Sequence, residues 1–129
     1  MFNSDFYPTP EDVIELMTEG EVLTNKTILE PSAGKGNIID YLLIHNVKSV
    51  LACENNKDLR EILKSKCKLV GDDFLNLTSD VISHIDYIIM NPPFTADEKH
   101  ILHAYSIAPA GCKIIALCNS ATIENPFSK

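Results

Sequence analysis

Short apolar runs and segments of helical periodicity alternate along this chain. The apolar runs predict five β-strands, at residues 27–30, 49–53, 67–70, 87–90 and 113–118. The segments between them place apolar residues three or four positions apart. That spacing predicts helices, at residues 9–20, 36–45, 56–66, 79–84 and 96–107.

The predicted strands are continuous apolar runs, not alternations of apolar and polar residues, so both faces of the sheet should be covered. Strands that alternate with helices in this way form parallel sheets with helices on both sides. The sequence therefore predicts an α/β fold with a doubly wound, mostly parallel sheet, and one domain over residues 1–129. In such sheets ligands bind at the carboxyl ends of the strands, so we expect functional residues directly after each strand.

Signals at the helix ends and on the helix faces add detail to this prediction. Thr9 is the expected N-cap of the first helix, Pro10 its first residue and Gly20 its end. Three helices carry side chains that we expect to face the core: Val13, Ile14, Leu16 and Met17 in the first, Ile38, Ile39, Leu42 and Leu43 in the second, and Leu59, Ile62 and Leu63 in the third.

Composition and charge narrow the class of protein. The 129 residues are 45% hydrophobic and 22% charged, which is typical of a globular domain, and no apolar run is long enough for a membrane span. Eleven cationic and 18 acidic residues give a net charge of −7. Protein surfaces that bind the phosphate backbone of a nucleic acid usually carry a net positive charge. Any contact with nucleic acid should therefore be local or supplied by another chain.

The cysteines and histidines do not suggest a metal site or disulfides. No C-x-x-C pair occurs, and the start of the chain lacks a basic region followed by an apolar block, so we expect reduced thiols in a cytoplasmic protein. The spacings match no standard zinc pattern. His100 and His103 lie one helical turn apart, and we interpret them as part of a polar helix face.

The loop after the first predicted strand contains two glycines, Gly34 and Gly36, separated by one residue. Gly34 permits a tight turn, and Gly36 permits a close approach of the backbone to a ligand. The loop lacks the third glycine of a dinucleotide fingerprint and is not a Walker A loop. By itself it is equally typical of a plain turn between a strand and a helix.

Acidic residues follow the second and third predicted strands. Glu54 comes 20 residues after Gly34, a spacing at which an acid accepts hydrogen bonds from both hydroxyls of a ribose. Asp73 and Phe74 follow the third strand, where a carboxylate can accept from an adenine amino group while the ring packs on the base. A solvated surface acid and an Asp-rich turn are the alternatives.

The most specific motif is Asn91-Pro92-Pro93-Phe94, directly after the fourth predicted strand. The two prolines stiffen the loop and leave carbonyl groups without competing N–H donors. The Asn91 side-chain oxygen and the Pro92 carbonyl can then both accept from one amino group, and Phe94 can stack on a planar ring. A proline-rich turn that ends a strand is the alternative.

Taken together and in this order along the chain, these motifs resemble those of class I S-adenosylmethionine-dependent methyltransferases of the amino-methylating DNA type, above all the N6-adenine enzymes. The resemblance covers residues 6 to about 120, and the family's tetrapeptide, Asp or Asn followed by two prolines and an aromatic residue, matches Asn91 to Phe94. It implies cofactor contacts from Tyr7, Pro8 and Thr9 over the methionine end, Glu30, Pro31, Ser32, Gly34, Gly36 and Asn37 in the cofactor loop, Glu54 at the ribose, Asp73 and Phe74 at the adenine, and Asn91.

The resemblance implies methyl transfer from S-adenosylmethionine to the N6 amino group of adenine in DNA, as in restriction–modification and phage enzymes. Asn91, Pro92, Pro93 and Phe94 would form the catalytic loop, and an adenine in duplex DNA would be flipped out and stacked on Phe94. The same tetrapeptide also occurs in enzymes that methylate RNA bases or a glutamine side chain. These acceptors stay open, as does a cofactor-binding remnant or half of a split enzyme.

The chain departs from the family after the fifth predicted strand. It stops at Lys129, where the family continues with two further strands and often a target-recognition region. We expect either a fragment or a naturally shortened protein, which engages DNA only with additional recognition elements and methylates it negligibly alone. The fifth strand, residues 113–118, would expose an apolar edge, for which we expect self-association or a partner chain.

Overall fold

A five-stranded parallel sheet forms the centre of the protein, as the sequence predicts. The computed structural model describes residues 10–33, 36–91 and 97–116. The strands are β1 (Thr27–Glu30), β2 (Ser49–Cys53), β3 (Lys68–Gly71), β4 (Tyr87–Met90) and β5 (Lys113–Ala116). The helices are α1 (Glu11–Met17), α2 (Asn37–Leu43), α3 (Lys57–Leu63) and α4 (Asp97–Ile107), with short 3-10 turns at Phe74–Asn76 and Ser79–Ile82.

The strand order is β3-β2-β1-β4-β5, so β1 lies at the centre and pairs with both β2 and β4. The chain moves outward from β1 to β3 and then returns to the other side of β1 to form β4. This reversal is the switch point at which ligands bind in doubly wound sheets. It places the carboxyl end of β1 beside the carboxyl end of β4.

Two hydrophobic layers cover the sheet. One face packs under α1, α2 and α3, through side chains that include Ile14, Ile39, Leu42 and Leu63. The other face packs under α4 and the two 3-10 turns, through Phe74, Leu77, Ile82, Ile101, Ala104 and Ile107. Every residue of β1 and β4 is buried, which confirms that continuous apolar strands reflect coverage on both sides.

Three side chains expected in the core are instead exposed. Leu16 is 70% exposed, Leu43 43% and Ile62 44%. The helices that carry them are only seven residues long, so each presents a narrow strip of side chains to the sheet. Leu16 follows the buried Ile14 by two residues and therefore lies about 200° around the helix from it.

The first helix also begins later than its signals predict. Pro10 is its N-cap, not its first residue, because its ψ of 152° is extended. The Pro10 carbonyl accepts hydrogen bonds from the amides of Val13 and Ile14, both at 3.1 Å. The helix ends at Met17, and Gly20 adopts a left-handed φ of 82° in the turn that follows. Thr9, the expected cap, lies outside the described residues.

The described ranges contain neither a helix that could span a membrane nor a cluster of metal-ligating side chains. No helix in those ranges combines the length and the apolar character that a bilayer crossing requires. Within the same ranges, no three His, Cys, Asp or Glu residues come together in a way that would hold a metal ion.

Candidate functional site

The carboxyl edge of the sheet gathers polar residues from four neighbouring strands. Glu30 is the last residue of β1, and Glu54 directly follows β2. Asp73 follows β3 after one intervening residue, and Asn91 directly follows β4. Because all the strands are parallel, these ends meet at one edge. Of the predicted site residues, Tyr7, Pro8, Thr9, Gly34, Pro92, Pro93 and Phe94 lie outside the described residues.

Glu30 is a buried acid at the centre of this edge. Its side chain is 1% exposed, and its Oε2 accepts a hydrogen bond from the Ser32 amide at 3.2 Å. Burial raises the pKa of the Glu30 carboxyl to about 8, with a further increase from the negative charge of Glu54. Glu30 is therefore mostly protonated at neutral pH in the protein alone.

The turn after β1 is held by backbone hydrogen bonds. The Ala33 amide donates to the Cys53 carbonyl at 3.1 Å, and the Gly36 amide donates to the Ala33 carbonyl at 2.9 Å. Gly36 has a φ of 92°, which favours glycine. A Cβ there would lie 3.1 Å from a Leu63 methyl and 3.3 Å from Lys66, so the missing side chain makes room for those residues. The approach of a ligand to the Gly36 backbone stays a prediction, since these side chains occupy only the direction of the absent Cβ.

The remaining predicted loop residues differ in how far they reach solvent. Pro31 is buried, Ser32 is half-buried, and Asn37 is exposed at the first turn of α2. Asn37 lines a cavity of about 270 Å³ between α1 and α2, together with Ile14 and Tyr41. Of these three loop residues, Asn37 is therefore the one whose side chain is open to a ligand.

Glu54 is fixed at the junction of β2 and β3. It is 6% exposed, and its Oε2 accepts a hydrogen bond from the Asn56 amide at 2.9 Å. Its own amide donates to the Gly71 carbonyl at 3.3 Å, across the end of β3. These contacts hold the carboxylate at the edge of the sheet, which is the position expected of an acid that binds a ribose.

Arg60 reaches this junction from α3, although no sequence motif marks it. Its Nη1 lies 2.8 Å from the Asn55 carbonyl oxygen and 3.1 Å from the Glu54 carbonyl oxygen. The same atom lies 3.5 Å from Asp72 Oδ1. An arginine six residues after an acid carries no motif signal, because its acceptors are backbone carbonyls that only the fold brings within reach.

Asp73 and Phe74 occupy different environments. Asp73 is half-buried and caps the following 3-10 turn, with its Oδ1 accepting from the Leu75 amide at 3.0 Å. Phe74 is 1% exposed and packs in the core under α4. The structure therefore corrects the exposed position expected for the Phe74 ring: the ring supports the turn from below, and the half-buried Asp73 is the polar acceptor at this position.

His100 and His103 pack against Phe74, which corrects their interpretation as a polar helix face. The ring of His100 stacks on Phe74 at a centroid distance of 5.7 Å, and His103 meets it edge-on at 4.9 Å. A ring nitrogen of His103 lies 2.9 Å from the Leu77 carbonyl oxygen. The two histidines thus attach α4 to the turn that begins at Asp73.

The thiol nearest the site is held in its neutral form. Cys53 is fully buried at the end of β2, and burial together with nearby carboxylates raises its pKa to about 12. A thiol with this pKa is a poor nucleophile. Among the described residues at this edge, the carboxylates and the half-buried Asn91 are the remaining candidates for chemistry.

Comparison with known proteins gives the class of fold. The dimethyladenosine transferase of Plasmodium falciparum superposes with a TM-score of 0.71 over 90% of this chain and 44% of that chain, at 15% identity. The RNA methyltransferase of Salinibacter ruber, in complex with S-adenosyl-L-homocysteine, gives a TM-score of 0.64 over 78% and 71%, also at 15% identity. The chain therefore has the fold of class I S-adenosylmethionine-dependent methyltransferases.

Sequence comparison adds one particular relative. Ribosomal RNA small subunit methyltransferase A of Pelagibacter ubique (strain HTCC1062) is 33% identical over 76 residues, which cover 56% of this chain and 29% of the relative. The chain thus spans less than a third of the length of this curated relative. No family model matches the chain.

Proposed function

We propose that the protein binds S-adenosylmethionine at the carboxyl edge of its sheet and methylates the N6 amino group of adenine in RNA. The observation that carries this proposal is the placement of Glu30, Glu54, Asp73 and Asn91 at the ends of four neighbouring parallel strands. The acids suit a ligand that carries an ammonium group, ribose hydroxyls and an adenine amino group, and the methyltransferase fold supports this choice of ligand.

The acceptor is the point at which the proposal departs from the sequence prediction. The resemblance implied adenine in DNA, whereas the relatives named above are a ribosomal RNA methyltransferase, an RNA methyltransferase and a dimethyladenosine transferase. We therefore favour adenine in RNA. The DNA acceptor, and with it restriction–modification and a phage setting, has no support among these relatives.

Each candidate residue has a distinct part in the proposed site. Glu54 accepts from the ribose hydroxyls, because its Oε2 is already oriented by the Asn56 amide. Asp73 accepts from the adenine amino group, and Glu30 lies where the cationic end of the ligand would favour its charged form. When bound, S-adenosylmethionine supplies an electrophilic methyl group on its sulfonium.

Asn91 orients the acceptor. Its side-chain oxygen accepts a hydrogen bond from the adenine amino group and draws electron density toward the nitrogen. The bond between nitrogen and methyl carbon forms as the bond between carbon and sulfur breaks, and the extra proton then leaves the nitrogen for water. The Pro92 carbonyl is the proposed second acceptor, and Phe94 is the proposed stacking partner of the base.

A second candidate function is a cofactor-binding piece without transfer activity of its own. The net charge of −7 favours it, because a phosphate backbone would be repelled by most of this surface. The chain also spans only part of the relatives that it matches. A protein glutamine remains the other acceptor that the tetrapeptide allows.

Methyl transfer to synthetic acceptors separates these functions. We expect the purified chain to transfer labelled methyl groups to adenine in RNA hairpins above the level seen with duplex DNA or a glutamine-containing peptide. Asn91→Ala should reduce the rate by about a hundredfold, the typical cost of one oriented hydrogen-bonding group at a reacting atom. Its affinity for S-adenosylhomocysteine should fall far less than the rate, since the amide acts mainly on the acceptor.

Three results would count against this assignment. Binding of S-adenosylhomocysteine without transfer to any acceptor would identify the cofactor-binding piece. Labelling of DNA above RNA would restore the DNA assignment. Equal rates for the wild type and Asn91→Ala would remove Asn91 from the catalytic loop.

We also propose that β5 pairs with the same strand of a second copy of this chain. β5 is the outermost strand of the described sheet, and Ile114, Ile115 and Ala116 are only half-buried. An apolar edge strand is a template for pairing with another chain. Light scattering should show a dimer whose population grows with concentration, while amide exchange over residues 113–116 slows in parallel. A monomer with rapid exchange there at every concentration would contradict this interface.

A further inference from the structure

Two loops at the carboxyl edge carry the acids proposed to bind the adenosine part of the cofactor. Glu54 opens the loop after β2, and Asp73 lies in the loop after β3. The pairing of β2 and β3 shifts register between Ala52 and Cys53. Beyond that shift the two loops are joined by the Glu54 amide, which donates to the Gly71 carbonyl at a long 3.3 Å. Strand pairing therefore ends at this one backbone hydrogen bond, two residues before Asp73.

One guanidinium nitrogen bridges these loops. Arg60 Nη1 donates to the Asn55 carbonyl at 2.8 Å and to the Glu54 carbonyl at 3.1 Å, both in the loop after β2. The same nitrogen lies 3.5 Å from Asp72 Oδ1, in the loop after β3 and next to Asp73. The Arg60 side chain is 25% exposed, so part of this charge is removed from water.

The base of the Arg60 side chain is itself well anchored. The Arg60 amide donates to the Asn56 carbonyl at 2.9 Å in the first turn of α3. Asn56 caps that helix, with its Oδ1 accepting from the amides of Asp58 at 2.9 Å and Leu59 at 3.1 Å. The planar guanidinium group presents its donors as a rigid fork, and its hydrogen bonds to the Asn55 and Glu54 carbonyls hold the flexible side chain in place.

We propose that Arg60 is a positioning residue that holds Glu54 and Asp73 at the separation that an adenosyl ligand requires. The inference rests on the proposed function, because it assigns Arg60 a role in the same cofactor site. Arg60 acts through the backbone of the Glu54 loop and through Asp72, and it has no assigned contact with the ligand. Its loss should let the two loops move apart and lower affinity without removing any ligand contact.

The charge of the ligand separates this role from a simple electrostatic one. S-adenosylmethionine carries a net positive charge, whereas S-adenosylhomocysteine is a zwitterion without net charge. Removing a nearby cation should by Coulomb's law alone strengthen binding of S-adenosylmethionine and leave S-adenosylhomocysteine almost unchanged. Loss of positioning should lower the affinity for both ligands by a similar factor. The two explanations therefore predict opposite signs for S-adenosylmethionine.

Calorimetric titration of Arg60→Met with both ligands is the test. We expect both dissociation constants to rise about fivefold or more. About fivefold is the lower end of the change in affinity that is typical when a second site is coupled to a ligand site. Lys64→Met is the matched control, because Lys64 lies one turn further along the chain, is 62% exposed and pairs only with Glu61 among the described ion pairs. It removes the same charge and should leave both affinities within about twofold.

Arg60→Lys keeps the charge, and it keeps the proposal testable if Arg60→Met fails to fold. Lysine cannot reproduce the rigid fork, so it should restore only part of the affinity. Unchanged affinity in both Arg60 variants would overturn the proposal, as would tighter binding of S-adenosylmethionine by Arg60→Met. If the wild type binds neither ligand, the proposed function fails and this inference fails with it. If the wild type binds both and the Arg60 variants match it, only this inference fails.

Discussion

Replacing Glu54 with alanine should weaken the binding of S-adenosylmethionine roughly tenfold or more. Hydrogen bonds to a charged group contribute about 1.5–3 kcal/mol each, and about 1.4 kcal/mol corresponds to a factor of ten in the dissociation constant. Glu54 is 6% exposed and is held by the Asn56 amide, so its carboxylate does not have to be ordered when the ligand arrives. Isothermal titration calorimetry on the purified chain measures the effect directly.

A second variant and a control make this result specific. Glu54→Gln keeps an acceptor oxygen for the Asn56 amide, so it should preserve the loop while still losing the charged hydrogen bonds to the ribose. Glu61→Ala removes the same charge from an exposed position on α3 and should leave the affinity unchanged. Equal affinity in the wild type and both Glu54 variants would remove Glu54 from the site.

The central strands were predictable from the sequence because burial on both faces leaves a strong local signal. The predicted runs at 27–30, 49–53 and 87–90 coincide with Thr27–Glu30, Ser49–Cys53 and Tyr87–Met90. The third strand lies at the sheet edge, where side chains are half-buried, and its bounds shift by one residue to Lys68–Gly71. The positions of Glu30, Glu54 and Asn91 followed from the same logic, since a parallel sheet brings strand ends together.

The contacts that shape the site were not predictable, because they depend on which distant side chain packs where. Phe74 reads as an exposed aromatic beside an acid, yet it is covered by His100 and His103 from a helix that starts 23 residues later. Periodicity placed both histidines on one helix face but gave no means of telling which face meets the core.

Gly36 and Arg60 show the same limit. The motif at Gly36 predicts a ligand, but it gives no sign that the missing Cβ also makes room for Leu63 of α3 and for Lys66 just after that helix. Arg60 bonds to backbone carbonyls, which carry no sequence identity. Local patterns therefore predicted which residues lie at the ends of the strands, and tertiary packing determined how those residues are held.

Glu30→Gln should make the protein more stable than the wild type, by a margin that grows as the pH rises from about 5 to about 8. Burial raises the pKa of the Glu30 carboxyl from its ordinary value of 4.5 to about 8. Between these values the folded state holds a proton that the unfolded state has lost, so the free energy of unfolding falls as the pH rises. Above the pKa of the folded state the Glu30 carboxyl is ionised in both states, and the loss in the free energy of unfolding reaches its full value. Glutamine cannot ionise, and its oxygen still accepts from the Ser32 amide.

Urea unfolding of both proteins across this pH range measures the margin. A shift from 4.5 to about 8 corresponds to at most about 4–5 kcal/mol at 1.36 kcal/mol per pKa unit, and the two proteins should be nearly equal below about pH 5. Glu61→Gln is the control, because Glu61 is exposed and its hydrogen bond to Lys64 lowers its pKa, so it should show no growing margin above about pH 5. Parallel curves for the wild type and Glu30→Gln would mean that the Glu30 carboxyl loses its proton in the folded protein as easily as it does in water. The carboxyl edge would then admit enough solvent or counter-charge to stabilise the carboxylate.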